Sequence, residues 1–321
     1  MRTSGLREFI RRNTLQIAVL SGFLIIWGIF FVLSPKVFSN GVTYGAILTV
    51  LPIWVILALP LTFITISGEI DLSFGSVTGM GGMVFAWVLI STGNPVLGLL
   101  SSLTVCILVG MMIGGCVAKA GLPSIILTLG MMFFLRGVIY VLTNGQSIFL
   151  YNYIPLGFSK LLVGEAIFGF PIQMIWAIII AVLCWVCLNR HVFGAYLYYV
   201  GNNETSAKLR GINVSRVKLT AFGVVGAASA IAGVMAVLVN STFFTTLGDS
   251  YLLPVLAMIF VGGTSPKGGT GSIFGTFMGG MIIGIIDSGL IAAGGVGYWT
   301  QLFFGLVIIL SITIFKFIRQ T

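Results

Sequence analysis

The stretch TYGAILTVLPIWVILALPLTFITISGEIDLSFGS, residues 43–76, is an apolar run that is interrupted by a short polar segment. Residues 43–66 carry no charged side chain and are numerous enough for a helix to cross a bilayer. SGEIDLSFGS, residues 67–76, then brings two carboxylates and two glycines together before the next apolar run. This order predicts a membrane helix that breaks and restarts.

The whole chain shares this apolar character. Only 7% of its 321 residues are charged, 58% are apolar and the mean hydropathy is +1.14, whereas soluble domains are about 25% charged. A soluble globule could not cover so much apolar surface, which excludes an ordinary cytosolic enzyme and a disordered chain. The 16 basic residues form no dense patch for nucleic acid, despite a net charge of +9. The long apolar runs also lack the alternation of a β-barrel.

Ten apolar segments are candidate spans, and the segment 252–263 is short enough to be a half-helix. They are 15–34, 43–66, 76–92, 97–118, 124–142, 171–189, 218–240, 252–263, 272–292 and 298–318. Cytoplasmic loops are enriched in Lys and Arg, and threading from a cytoplasmic N-terminus puts 13 of the 16 basic residues inside. These are Arg2, Arg7, Arg11, Arg12, Lys119, Arg190, Lys208, Arg210, Arg216, Lys218, Lys267, Lys316 and Arg319. The predicted fold is all-α: a polytopic membrane helix bundle of about ten transmembrane spans with broken or re-entrant segments and cytoplasmic N- and C-termini.

Four ionisable residues lie in or beside the spans, where each is costly unless it faces the bundle interior, water or a partner. One interpretation is that Asp71 or Ser73 caps the helix that follows. The alternative is that Asp71 contacts solute or an ion. For Glu69, a structural role at the break and contact with solute or an ion are both open. Arg136 snorkels, forms a salt bridge or binds ligand. Asp287 lies inside a predicted span.

A second polar break, GGTSPKGGTGS at residues 262–272, superficially resembles a phosphate-binding loop but lacks the GxxxxGK[ST] spacing. Each break follows an apolar run with proline, Pro52 and Pro60 or Pro254, and precedes a glycine-rich helix. This order indicates a weak duplication of residues 43–142 and 218–318, and the prolines predict kinks or helix breaks.

Glycines at four-residue spacing predict close helix packing, with or without a role in transport. They are Gly75 and Gly79, Gly110 and Gly114, and Gly271, Gly275 and Gly279.

The predicted inner loop 190–217 contains GNNETSAKLRGINV, residues 201–214. Asn203 is a plausible N-cap, Glu204 suits the first turn of a helix, and Gly211 would end it. Such a helix is either part of a solvated connector or a rigid element for a cytoplasmic motor.

Cysteine and histidine give no complete metal site in the sequence. Cys184 and Cys187 have C-x-x-C spacing and His191 follows, but a structural metal site needs about four ligands. We interpret these cysteines as small apolar residues and expect no catalytic, cofactor or metal residues.

Four stretches together resemble a known family. They are SGEIDLSFGS (67–76), GLPSIILTLGMMFFLRG (121–137) with TNG (143–145), GNNETSAKLRGINV (201–214) and GGTSPKGGTGSIFGT (262–276). From about residue 40 to 315 the chain resembles the permease subunit of ribose-type bacterial ABC importers, which include ribose, xylose, arabinose, galactose and autoinducer-2 systems. The resemblance implies one permease domain over residues 1–321, multi-pass in the inner (cytoplasmic) membrane, without a nucleotide site of its own. It would import a monosaccharide or similar small polyhydroxylated solute by alternating access.

The resemblance also implies partners and site residues. The partners are two ABC ATPase domains, a second permease that is an unlike sister or a copy, and a periplasmic or lipid-anchored solute-binding protein. The ATPase-coupling residues would be Asn203, Glu204, Ala207, Lys208, Leu209 and Gly211. The translocation-path or broken-helix residues would be Gly68, Glu69, Asp71, Ser73, Gly75, Thr128, Arg136, Gly262, Gly263, Thr264 and Asp287.

The chain departs from the family pattern at both breaks. Glu69 stands where the family usually has a second glycine, and Leu252–Val255 replaces the common Glu-Leu-Asp-Ala. ALPLTFITISG, residues 58–68, resembles one permease of the autoinducer-2 branch, which often works as unlike pairs, so a heteromeric complex is expected. The alternative is an ion-coupled secondary transporter that uses Glu69, Asp71 or Asp287. A membrane enzyme is a third class, but no nucleophile–base pair supports it.

Overall fold

The computed structural model describes residues 14–165, 170–292 and 297–318. Helices dominate this part of the chain. They are α1 Thr14–Leu33, α2 Pro35–Phe38, α3 Gly41–Ile66, α4 Phe74–Thr92, α5 Pro95–Ala120, α6 Ser124–Thr143, α7 Leu156–Val163, α8 Ile172–Arg190, α9 Val192–Asn202, α10 Glu204–Leu209, α11 Val214–Asn240, α12 Leu252–Val261, α13 Ile273–Ala292 and α14 Tyr298–Ile318. The basic residues Arg2, Arg7, Arg11, Arg12 and Arg319, on which the predicted sidedness of the termini partly depends, lie outside the described residues.

Eight of the described helices are long and apolar enough to cross a membrane: α1, α3, α4, α5, α6, α8, α11 and α13. The helical, polytopic fold class is therefore confirmed. Helix α12 has 10 residues, a rise of about 15 Å, which is half of a bilayer's hydrocarbon thickness. It ends at the second break, as a half-helix would. The count of ten spans stays a prediction.

The prolines of α3 do not break it. The helix continues through Pro52 and Pro60 and ends at Ile66, so the break follows Pro60 by several residues. Membrane helices tolerate proline where neighbouring helices surround the freed backbone groups, and 78% of the apolar stretch of α3 is buried. Of the two outcomes predicted for these prolines, a kink or a helix break, the structure excludes a break at Pro52 and Pro60.

Four helices form the centre of the bundle. Between 67% and 78% of the apolar stretches of α3, α4, α11 and α13 are buried, against 6% to 28% for α1, α5, α6 and α8. Glycines bring the α5 and α11 backbones together: a Cβ on Gly110 would overlap the Phe222 carbonyl, and one on Gly226 would overlap that of Cys106. The predicted close packing is confirmed at this pair of helices.

A two-stranded antiparallel ribbon lies on the predicted outer side. Strand β1, Ile148–Phe149, pairs with β2, Thr242–Phe243, so that Ile148 faces Phe243. The chain then turns back toward the bundle, where Gly248 packs against the backbone of Gly75 in α4. A 3₁₀ turn, Asp249–Tyr251, leads into α12. The ribbon thus directs the segment 244–251 onto α4 and α6.

Candidate functional site

The first break, residues 67–73, begins where Gly68 adopts a left-handed backbone conformation with φ of +88°. The Gly68 amide donates to the Thr65 carbonyl, and the Glu69 amide donates to the Ile64 carbonyl at 3.1 Å. These bonds satisfy the last carbonyls of α3, and glycine adopts this conformation at no steric cost. Gly68 therefore ends the helix.

The second break, residues 262–272, begins in the same way. Gly263 has φ of +84°, its amide donates to the Phe260 carbonyl, and the Thr264 amide donates to the Ile259 carbonyl at 3.1 Å. Gly262 is the residue that follows α12, and the Thr264 side chain is buried. The shared hydrogen-bond pattern agrees locally with the duplication inferred from the sequence.

The two breaks contact each other. The Gly269 amide donates to the Ile66 carbonyl at 2.9 Å, which joins the end of α3 to the second break. Deeper in the bundle, the hydroxyls of Thr62 and Thr276 lie 2.8 Å apart. Both interruptions therefore belong to one structure at the same end of the bundle.

The end of α9 packs between these breaks. A Cβ on Gly201 would overlap the Ile66 carbonyl, one on Gly268 would overlap the Gly68 backbone, and one on Gly269 would overlap the Asn202 side chain. Three of the four stretches that carry the family resemblance therefore meet backbone against backbone, because their glycines leave no side chain in between.

The fourth stretch joins the same structure through α6. The Ile70 amide donates to the Ser124 hydroxyl at 3.2 Å, and the Leu72 amide donates to the Thr128 hydroxyl at 3.1 Å. The first break is not helical here, so its amides need partners from elsewhere. Thr128 therefore holds the backbone of the break in this structure.

The Asp71 and Ser73 side chains bond to each other rather than to amides within the helix that follows. The Ser73 amide donates to Asp71 Oδ1 at 2.7 Å, and the Ser73 hydroxyl donates to the same oxygen. Ser73 precedes α4 with helical backbone angles and no side-chain capping bond. The expectation that Ser73 caps α4 is wrong, because its hydroxyl is used by Asp71. Asp71 accepts a hydrogen bond from the amide of Ser73, which precedes α4, and not from an amide within the helix.

The inner loop contains the short helix α10 at the predicted place. The Asn203 side chain accepts from the Ser206 amide at 2.8 Å, which confirms the predicted N-cap. Ala207 is buried against the protein, whereas Leu209 is 84% exposed. Gly211 follows with φ of +80°. The helix thus presents an apolar tip to the space outside the chain.

Lys218, at the start of α11, joins α10 to the first break. Its ammonium donates to Glu69 at 2.6 Å and to Glu204 at 2.8 Å. The Lys218 side chain is only 6% exposed, so the two carboxylates replace water around its charge. Glu204 also pairs with Lys208 at 2.8 Å. Hydrogen bonds from Lys208 and Lys218 lower the pKa of Glu204.

Sequence reasoning missed the role of Lys218. The sequence places it among the inner basic residues, as the first residue of the predicted span 218–240, whereas in the structure it is the fifth residue of α11. A cation there that is too deep to reach water needs a carboxylate, and Glu69 was an unexplained acid beside the first break. Those two observations together could have indicated the pair.

Arg136 holds the segment that returns from the β-ribbon. Its guanidinium donates to the carbonyls of Thr245 and Leu247 and pairs with the Asp249 carboxylate. The salt-bridge interpretation of Arg136 is thereby confirmed. Asp249 had no role assigned from the sequence, although a buried arginine needs an acid and few acids are available in this chain.

Two cavities lie on either side of the 3₁₀ turn. The Arg136 cavity, about 320 Å³, is lined by Gly75, Ser76, Arg136 and Asp249 together with apolar side chains. The second, about 190 Å³, is lined in part by Asp287. The Arg136 cavity reaches the first break at Leu72, whereas no lining residue of the second cavity belongs to either break. Glu69 and Asp71 line neither cavity.

His191 has a local structural contact. Its Nδ1 accepts from the Phe193 amide at 3.1 Å and so caps α9. Within the described ranges, no three of the residues His, Cys, Asp and Glu are grouped closely enough to hold a metal ion.

Comparison with known proteins identifies relatives over most of the chain. The family described as "Branched-chain amino acid transport system / permease component" matches residues 43–312. The ribose import permease protein RbsC of Escherichia coli (strain K12) is 31% identical over 317 residues, 97% of each chain. RbsC of Haemophilus influenzae is 33% identical over 267 residues, 80% of each chain.

A third relative has a different named solute. The autoinducer 2 import system permease protein LsrD of Yersinia enterocolitica is 30% identical over 239 residues, 73% of this chain and 72% of the relative. No solved structure matches the chain significantly. Since the family match spans most of the sequence and its relatives are import permeases, the chain is a multi-pass inner-membrane protein that belongs to the family of transport-system permease components.

Proposed function

We propose that this permease imports a monosaccharide or a similar small polyhydroxylated solute, driven by separate ATPase subunits that bind α10. The observation that carries the proposal is the Lys218 network, in which one buried ammonium binds Glu204 of α10 and Glu69 of the first break. The relatives named for ribose and autoinducer 2 support the solute class.

The network gives a physical route for coupling. An ATPase that displaces α10 must either carry the first break with it or separate Lys218 from a carboxylate. Separation is costly, because it leaves a charge in a site from which water is largely excluded. When α10 moves, the first break is therefore more readily displaced with it than left in place by a rearrangement of the loop 190–217.

The backbone cluster at the two breaks would act as the inner closure of the path. A Cβ on Gly201 would overlap the Ile66 carbonyl, and one on Gly268 would overlap the Gly68 backbone. These backbones therefore lie too close together for a solute to pass between them. The Arg136 cavity lies at the start of α4, between Leu72 of the first break and Asp249 of the predicted outer segment, and would form the adjoining part of the path. Transport then requires that the glycine contacts separate when α10 moves.

The proposed assembly follows from the relatives' import role. It comprises two ATPase domains on the cytoplasmic side, a second permease and a solute-binding protein outside. An unlike sister permease is our preferred second subunit, since residues 58–68 resemble the autoinducer-2 branch. ATP hydrolysis would occur in the partner subunits alone.

Purification of the tagged chain from its native membrane tests the proposal. We expect ATPase subunits to co-purify, and to detach in the variants Glu204→Gln and Gly211→Val. Gly211→Val strains a backbone with φ of +80°. Lys119→Gln, which changes an exposed inner charge, is the matched control and should retain the partners.

Uptake into vesicles provides the opposing result. Stable, active uptake that requires a proton gradient and no ATPase would overturn the proposal and favour the ion-coupled alternative. In this structure two of the three candidate ion carriers are already occupied, since Glu69 pairs with Lys218 and Asp71 accepts two bonds from Ser73.

A further inference from the structure

Arg136 belongs to the interior of a candidate membrane span. It lies about 18 Å along the axis of α6 from Ser124, where the helix begins, and about 10 Å from Thr143, where it ends. The hydrocarbon core of a bilayer is about 30 Å thick. The Arg136 guanidinium and the Asp249 carboxylate, which form an ion pair, therefore lie at membrane depth.

A second helix indicates the same depth for Asp249. The residue before it is Gly248, and a Cβ on Gly248 would overlap the backbone of Gly75. Gly75 lies in the first turn of α4, about 25 Å along the axis from Thr92 at its other end. The segment 244–251 therefore returns from the β-ribbon deep into the thickness that the helices span.

The two members of the ion pair differ in exposure. The Arg136 side chain is 10% exposed and that of Asp249 is 49% exposed. The guanidinium donates to the carbonyls of Thr245 and Leu247 as well as to Asp249, so its terminal nitrogens are used within the protein. The carboxylate is open to the outside of the chain, and a charge at this depth is costly unless it meets water or another protein group. We therefore expect water, and not lipid, at this face of the chain.

The Arg136 cavity gives this water a space. Its volume is about 320 Å³, and small-molecule sites have about 300–1,000 Å³. Phe133 and Asp249 both line it and both are exposed, so the cavity opens at the surface of the single chain. In the proposed assembly the second permease would close this open side.

The lining of the cavity favours one kind of solute. Its polar side chains are those of Ser76, Arg136 and Asp249. The Ser76 hydroxyl is buried and donates to the Met132 carbonyl at 2.8 Å, which leaves the Asp249 carboxylate to a passing molecule. A carboxylate accepts hydrogen bonds and donates none, so it selects a hydrogen-bond donor. Because Arg136 already balances its charge, an uncharged donor such as a hydroxyl group suits the site better than a cation.

We propose that Asp249 accepts hydrogen bonds from the hydroxyl groups of the solute as it passes the Arg136 cavity, and that Arg136 positions the carboxylate. The carboxylate then exchanges its hydrogen bonds with water for hydrogen bonds with the solute. The inference rests on the proposed function and adds to it a residue that contacts the solute.

The first measurement asks whether Asp249 faces water. The variants Asp249→Cys and Ile179→Cys are compared in the purified complex in lipid nanodiscs, where a charged methanethiosulfonate reaches both faces. This reagent attacks the thiolate, which forms in water rather than in lipid. Ile179 lies in the middle of α8 and is 41% exposed, which makes it the matched control. We expect Asp249→Cys to react about tenfold faster, after subtraction of the rate of the native cysteines.

The second measurement asks whether a solute meets Asp249. Phe133→Cys places a reporter at the same cavity and keeps the carboxylate. The probes are glycerol, D-ribose, D-xylose and D-arabinose. We expect at least one of them to slow the labelling of the reporter about twofold or more, the effect of half occupancy. Adding Asp249→Asn should remove this protection, whereas adding Glu165→Gln, the same kind of change at another exposed carboxylate, should preserve it.

Asp249→Glu decides the matter if Asp249→Asn does not assemble. It moves the carboxylate by one methylene and should change the half-protecting concentration, and an unchanged concentration would contradict the contact. The proposal is overturned if Asp249→Cys reacts no faster than Ile179→Cys, if no probe protects the reporter, or if protection survives Asp249→Asn. Co-purifying ATPase subunits without protection would remove this contact and keep the proposed function, whereas their absence would remove the proposed function itself.

Discussion

The Lys218 ammonium lies 2.6 Å from the Glu69 carboxylate, although 149 residues separate them in the sequence. The same ammonium reaches Glu204 of α10. A single cation therefore connects the helix that would meet the ATPase with the segment at which α3 is interrupted. Glu69 occupies a position where the family resemblance leads one to expect glycine, so this connection is a specific feature of the chain.

Replacing Lys218 by methionine should destabilise the protein. The change leaves Glu69 and Glu204 facing each other without a cation, and breaking a buried ion pair in this way costs about 2–4 kcal/mol after allowance for the partial exposure of Glu204. We expect a lower Tm of the purified complex. Lys208→Met, which removes only an exposed pair, should cost about 0.5 kcal/mol or less. Equal Tm shifts for the two variants would show that the buried ion pairs of Lys218 stabilise the protein no more than the exposed pair of Lys208.

Replacing Glu69 by glutamine should uncouple transport more than it destabilises the fold. The amide keeps the shape of the side chain, and Lys218 retains Glu204, so the loss of Tm should be smaller than that of Lys218→Met. ATP hydrolysis by the complex should continue while solute uptake per ATP falls. Unchanged uptake per ATP would mean that the first break does not follow α10 through this contact.

The stability of the complex should depend on the ionisation of Glu204 in acid. The pKa of Glu204 is lowered from its ordinary value of 4.5 by Lys208 and Lys218. A carboxylate with a lowered folded pKa stabilises the protein fully above its unfolded pKa, and this contribution is lost as the pH falls through the folded value. The Tm difference between the native protein and Glu204→Gln should therefore be constant above about pH 5 and shrink below it. A difference that grows on acidification would contradict the assignment.

The helices of this fold were largely predictable because apolar runs decide them. Residues 43–66 and 76–92 were expected as spans, and the structure has helices over 41–66 and 74–92. The interruption between them was also foreseen from its polar residues. Its physical cause, the left-handed conformation of Gly68, was not, because the backbone angles of a single glycine cannot be read from the sequence.

The contacts within the candidate site could not be read from the sequence. Lys218 and Glu69 belong to different helices, and no periodicity links residues so far apart. The meeting of Gly201 with Ile66 and Gly269 likewise depends on how three segments pack. Asp249 gave no signal of its own, because a single acid in an outer loop is ordinary until Arg136 is seen beside it.

Replacing Gly201 by alanine should disrupt the junction of the two breaks. The new methyl group would overlap the Ile66 carbonyl and the Gly269 amide, and neither backbone can move without losing the hydrogen bond between them. Overpacking of this kind costs about 1–3 kcal/mol, so we expect a lower Tm and reduced uptake. Gly115→Ala, with open space around the new methyl group, is the control and should cause no loss. A harmless Gly201→Ala would show that the breaks are farther apart than described.

Replacing Arg136 by lysine should release the segment 244–251. The planar guanidinium contacts Thr245, Leu247 and Asp249 at once, whereas a lysine ammonium is a single point without that fork. We expect hydrogen exchange of the segment to quicken about tenfold, which corresponds to about 1.4 kcal/mol of local stability. Asp249→Asn keeps both carbonyl contacts and should have a smaller effect. In the double variant the two changes should not add, because they remove the same interaction. Exchange at the native rate in Arg136→Lys would mean that the ribbon, rather than the arginine, holds this segment against α4 and α6.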